Sequence, residues 1–248
     1  MPEIWSSLSP VGLGWIALAA FVGGLVRGFS GFGTALVFLP VTAQFLPPFA
    51  AIICLTSMDI LGPLPLLRRA WGQAARPDLL RLSLAMGLAL PLGLWVLGQV
   101  SPDIYRTAIS LLSLAMLGIL SLGLRYQGDI RPRAVLGIGG AAGFLGGVAG
   151  LPGPPVILFY MARPLPTTVI RATILLFLFV FDVVILGWMG VFGRLELAWV
   201  ALGLAMAAPA IAGNWLGGRL FDPEKERLYR GVAYGLIAVS ALSGLPIW

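Results

Sequence analysis

The sequence predicts an all-α polytopic membrane protein made of two inverted repeats, each a Gly/Pro-broken re-entrant or discontinuous helix followed by three spans. Composition is the first reason: 59% of the 248 residues are hydrophobic, 10% are charged, and mean hydropathy is +0.97, far outside the range of soluble domains. The second is spacing. Eight apolar segments fall at about 11–45, 49–67, 79–99, 103–124, 134–161, 170–192, 197–218 and 229–247, and most match the roughly 20 residues that cross a bilayer as helix. The third is that the first and fifth segments are both interrupted, with Gly24, Gly28 and Gly31 standing 119 positions before Gly143, Gly147 and Gly150.

The first segment is too long for one span. Its 35 residues would reach about 52 Å as helix, against a hydrocarbon core of about 30 Å. It is broken by Arg27-Gly-Phe-Ser-Gly-Phe-Gly-Thr34, and half-helices over about 13–27 and 34–46 fit a re-entrant hairpin or one interrupted, tilted span. The fifth segment repeats the device with Gly147-Val-Ala-Gly-Leu-Pro-Gly-Pro-Pro155. Positive charge discriminates between the two readings. If every segment crosses once, Lys and Arg divide almost evenly between the two faces. If segments one and five turn back, thirteen gather on one face and only Arg106 and Arg194 on the other, the asymmetry expected between cytoplasmic and external loops. The expected topology is therefore six full spans, two re-entrant hairpins and both termini outside.

Further correspondences support a duplication, over about 11–124 and 134–247 of a single transmembrane domain covering 1–248. Pro47 pairs with Pro166, Pro91 with Pro209, Gly98 with Gly217, and Ser101-Pro102 with Asp222-Pro223, at offsets of 118 to 121. Three full spans per half is an odd number, so the second copy enters the membrane from the opposite side. Inverted repeats of this kind are a common construction of secondary transporters. The start Met1-Pro-Glu-Ile-Trp5 is acidic where a signal peptide is basic, so the first segment is expected to be retained.

Composition also excludes chemistry. No histidine is present and Cys54 is the single cysteine, which removes Ser-His and Cys-His catalysis and His- or multi-Cys-ligated metals. The Gly28-Phe-Ser-Gly31 run imitates an intramembrane serine protease motif but lacks a base. Asp59 and Asp182 lack the flanking residues of an intramembrane aspartyl dyad. No enzyme activity, cofactor, metal or nucleic-acid partner is expected; the partners are a small anionic substrate and the bilayer, and a homodimer stays open.

Each break frees backbone groups that hydrocarbon cannot satisfy, so it must be enclosed by protein or line a wet cavity. It also leaves a helix N-terminus within the membrane, an end whose N–H donors and dipole favour anions. The expected binding residues are Arg27, Ser30, Gly31, Phe32, Gly33 and Thr34 at the first break and Gly150, Leu151, Pro152, Gly153 and Pro154 at the second, with Arg171 beyond it. Inverted repetition would bring the two ends together. Other roles stand beside these: Gly139, Gly143 and Gly147 at spacing four suit close helix packing, Arg27 suits a helix C-terminal cap, and Arg171 suits an interfacial anchor. Asp59 and Asp182, each near the centre of its segment and 123 positions apart, are proton-coupling candidates or structural hydrogen-bonding groups.

The paired motifs Gly28-Phe-Ser-Gly-Phe-Gly-Thr-Ala-Leu-Val-Phe-Leu-Pro40 and Gly147-Val-Ala-Gly-Leu-Pro-Gly-Pro-Pro-Val156, the latter followed by Arg171-Ala-Thr173, resemble those of the TauE/SafE family of permeases, or sulfite exporters. Thr34 departs from a longer glycine run and Pro152 from a more usual glycine. The resemblance implies transport of sulfite, thiosulfate or organosulfonates across the inner membrane of a prokaryote. A permease for another anion or a metal ion, and a non-transporting membrane assembly subunit, remain the alternatives.

Overall fold

The computed structural model describes residues 8–122, 131–160 and 165–245. Among these, every regular element is helical: α1 (Pro10–Ser30), α2 (Thr34–Thr42), α3 (Pro48–Asp59), α4 (Leu67–Gln73), α5 (Arg76–Leu97), α6 (Pro102–Ser121), α7 (Pro132–Ala149), α8 (Gly153–Tyr160), α9 (Thr167–Val191), α10 (Leu197–Leu220) and α11 (Glu226–Gly244). Six of them, α1, α5, α6, α7, α9 and α10, are long and apolar enough to cross a membrane, and α3 taken with Leu64–Gln73 adds a seventh. The α11 helix, expected as a span, is not among them; it opens with Arg227 and Arg230. Arg125, Arg163 and both termini, which entered the charge argument, lie outside the described residues.

The helix ends follow from local chemistry. Ser9 caps α1 by accepting the Gly12 N–H at 3.1 Å, and Pro10 fills the first helical position, where no N–H is needed. At the other end Gly31 adopts φ 81° and returns its N–H to Arg27 O at 2.7 Å, the left-handed stop that glycine permits. Gly150 ends α7 in the same way, with φ 68° and its N–H on Gly146 O. With 21 residues, α1 is about 31 Å long and exceeds the half-helix expected over 13–27.

The chain packs as two compact units, one drawn from Met1–Met58, Ser101–Leu122 and Glu196–Trp248, the other from Asp59–Val100 and Gly123–Leu195. Each unit mixes helices of both sequence halves. In the first, α1 lies along α10 through glycines: a Cβ at Gly28 would stand 2.5 Å from Asn214 O and 2.8 Å from the Gly217 Cα, and Gly24 and Gly213 abut the backbones of Ala210 and Phe21. In the second, α7 lies along α5, where Cβ atoms at Gly139 and Gly147 would stand 2.5 Å from Leu82 O and 2.6 Å from Leu90 O. Both pairs run parallel.

Helix directions show that the chain folds back at both breaks. Within the first unit α2 returns along α1, since Gly23 touches Thr34 and Gly12 touches Phe45. The α6 and α11 helices are antiparallel, with Arg106 bonded to Gly244 O and Tyr234 to Leu120 O. Within the second unit α5 and α9 are parallel, with Ala75 N–H on Thr173 Oγ1 and Trp188 Nε1–H on Gly87 O. In the same unit α8 runs back along α5: α7 nears its end with Gly147 beside Leu90, and Tyr160 at the end of α8 reaches Asp78 in the first turn of α5.

Candidate functional site

The first break leaves α2 with a buried N-terminus. Gly33 precedes it at φ 104° with no side-chain cap, and the first bonds of the turn run from Leu36 and Val37 N–H to Gly33 O. The Thr34 and Ala35 N–H groups are thus the open donors of the first turn. The Thr34 side chain is 4% exposed, and its Oγ1 has no hydrogen-bond partner among the described residues. An orphaned hydroxyl in such a place costs about 1–3 kcal/mol of desolvation. Its depth is set by two contacts. Thr34 lies against Gly23, and the adjoining Gly24 lies against Ala210, the midpoint of the 24-residue α10. Ser30, Phe32 and Gly33 are half-buried and Gly31 exposed, beyond that depth.

Ser30 turns out to shape the loop. Its Oγ lies 2.8 Å from Val26 O and 2.6 Å from Phe32 O, and it receives the Phe32 N–H at 3.4 Å, so its hydroxyl is committed inside the turn. Phe29 packs 5.3 Å from Tyr229, which in turn lies 5.6 Å from Phe221, placing the hairpin tip beside the α10–α11 turn. Arg27, in the last turn of α1, is half-buried and already engaged.

At the second break Gly150, Leu151 and Pro152 are buried, and a Cβ at Gly153 would meet Ile157 at 3.4 Å and Leu178 at 4.0 Å. Leu178 is at the middle of the 25-residue α9, so α8 also begins at mid-height of its neighbour. Its donor set is poor: Pro154 and Pro155 have no N–H, leaving Gly153 and Val156 of the first four. Prolines that suit a first turn also strip it of anion ligands. The dipole remains, but the hydrogen-bonding cradle belongs mainly to α2.

Arg171 is exposed in the second turn of α9, about 10 Å below Leu178, and is not brought to Gly153. Asp182 is 8% exposed within α9 and has a partner. Asp59 departs from expectation: it is the last residue of α3, half-exposed and also partnered, because the turn at Ile60–Pro63 breaks the segment there. Sequence reasoning missed Asp78 and Tyr160, 82 positions apart, whose buried hydrogen bond is 3.0 Å long; no periodicity links them. Tyr105, Ser110 and Ser113 of α6, buried hydroxyls without partners among the described residues, were missed for the same reason.

A family model described as sulfite exporter TauE/SafE matches residues 16–244, both hairpins and nearly everything between and around them. The chain belongs to this family. Membership makes it a multi-pass membrane protein of a transporter family, in keeping with the six or seven apolar helices among its described residues. No curated protein and no solved structure matches the chain.

Proposed function

We propose that the protein is a secondary transporter of small sulfur-containing anions such as sulfite, thiosulfate or organosulfonates, in the inner membrane of a prokaryote, with both termini external. The observation that carries this is Thr34: a buried, unpartnered hydroxyl on the first turn of an uncapped helix that begins at mid-height of α10. Hydroxyl and N–H donors converging at a positive helix end suit an oxyanion with several acceptor oxygens. The half-buried α8 N-terminus is a second positive dipole end, poorer in donors. Among the acids, Asp182 is the better proton-coupling candidate, since it is buried within a continuous helix whereas Asp59 terminates one.

The test is thermal unfolding of the purified protein with sulfite, thiosulfate and a sulfonate. A ligand at a hundred times its Kd adds about 2.7 kcal/mol to the folded state. The isosteric Thr34→Val removes an unsatisfied group, so it should leave unliganded stability unchanged or higher while reducing the ligand-induced shift by roughly tenfold in affinity. Equal shifts in both proteins would sink the Thr34 assignment. No shift with any sulfur anion would sink the substrate class.

A further inference from the structure

We infer that Asp78 and Tyr160 are positioning residues that fix the height of α8 and so hold its N-terminal dipole end in place for the anion; this rests on the transport reading above. Tyr160 is the last residue of α8 and 1% exposed, and its hydroxyl donates to Asp78 Oδ2 at 3.0 Å. Asp78, 9% exposed, lies in the first turn of α5, where the helix dipole favours its carboxylate, and its Oδ1 accepts from Arg81 Nη1 at 3.2 Å. The same end of α5 is stapled to α9, because Ala75 donates its N–H to Thr173 Oγ1 at 3.0 Å while that hydroxyl donates to Val169 O at 2.8 Å. One end of the 8-residue α8 is therefore tied through Asp78 to α5, whose start is itself fastened to α9, while the other follows the Gly150 turn at the end of α7. A rod of about 12 Å held this way cannot slide along its axis without breaking the Tyr160–Asp78 bond.

The first hairpin lacks the residues for such a tie. The residue 119 positions before Tyr160, the offset of the paired glycines, is Val41. The packing of α1 on α10 and of α7 on α5 equates Gly217 with Gly93 and Ala210 with Met86, both 124 positions apart, which carries Asp78 to Leu202. Two apolar residues stand where the second hairpin has a hydroxyl and a carboxylate. At the far end of α2, the side-chain bonds of Thr42 to Phe38 O and Gln44 to Pro40 O stay within its own turns. The structure thus combines a donor-rich α2 packed against α1 and α11 with a donor-poor α8 whose far end is pinned by a side-chain bond.

The experiment uses the full chain with Cys54→Ser and a reporter, Val156→Cys in α8 or Leu36→Cys in α2, both buried positions. Maleimide labelling is timed with and without Tyr160→Phe, Asp78→Leu or Asp78→Asn. Loss of the bond should speed labelling at residue 156 by about fivefold and leave residue 36 unchanged. Asp78→Asn keeps an acceptor for the Tyr160 hydroxyl and should restore the parental rate. In vesicles, Tyr160→Phe should raise the sulfite concentration for half-maximal uptake with little change in maximal rate. Unchanged labelling at 156, equal acceleration at both reporters, or faster labelling with an unaltered sulfite dependence would each overturn the proposal. The labelling arm needs no substrate, so a parent that fails to carry sulfite would defeat the transport reading and leave the tie itself still tested.

Discussion

At the residue scale, glycines in this protein do two physically different jobs that the sequence presents alike. Gly28 and Gly31 belong to one motif, yet a Cβ at Gly28 would sit 2.5 Å from Asn214 O, while one at Gly31 would meet nothing within 4 Å. The cost at Gly28 is steric, at a helix contact that cannot open without parting α1 from α10. At Gly31 it is conformational, from φ 81°. Gly28→Ala should lower thermal stability by about 1–3 kcal/mol, and Gly31→Ala by about 1 kcal/mol. The difference should show in detergent-solubilised protein without ligand; equal losses would mean that the two positions share one role. The glycine spacing made both breaks legible, but it could not separate packing from turning, because that depends on which backbone arrives from the distant partner helix.

At the element scale, each helix carrying an internal proline must find another donor for the carbonyl four residues earlier. In α5 the proline is Pro91 and the freed carbonyl is that of Gly87, which accepts the Trp188 indole N–H at 3.2 Å. The bond also helps to set α9 beside α5. Trp188→Phe should cost about 1 kcal/mol in the parent and much less in a Pro91→Ala background, where the backbone N–H regained at that position can serve Gly87 O. A double-mutant cycle of thermal midpoints measures the coupling, and additive losses would refute the compensation. Pro91 was visible in the sequence, paired there with Pro209 at an offset of 118. The packing instead equates the two helices at an offset of 124, so that Gly93 corresponds to Gly217 and the Gly98 and Pro91 matches fall out of register. Proline and glycine are frequent here, so one-residue coincidences mislead where paired backbone contacts do not.

At the scale of the whole molecule, the interleaving of the halves constrains how transport can work. The α1–α2 hairpin of the first half is packed on α10 of the second, and the α7–α8 hairpin of the second on α5 of the first, by glycine contacts too close to slip. Moving one sequence repeat as a rigid body against the other would part both of these helix pairs. The fold-back was legible from the excess length of the first segment, the glycine breaks and the charge asymmetry between loops taken together, and the helix directions within each unit agree with it. That agreement gives a topology prediction within each unit. In a Cys54→Ser background, cysteines at Ser9, Gln44 and Glu196 should react with an impermeant maleimide from one side of the membrane, and a cysteine at Asp222 only from the other. In the second unit, cysteines at Ala75, Arg131 and Leu165 should share one side, opposite to Arg194. Were Ser9 and Gln44 to label from opposite sides, the first broken segment would cross outright. Thr34 would then open a helix within an ordinary span, and the argument for an anion held at a re-entrant tip would lose its geometric basis.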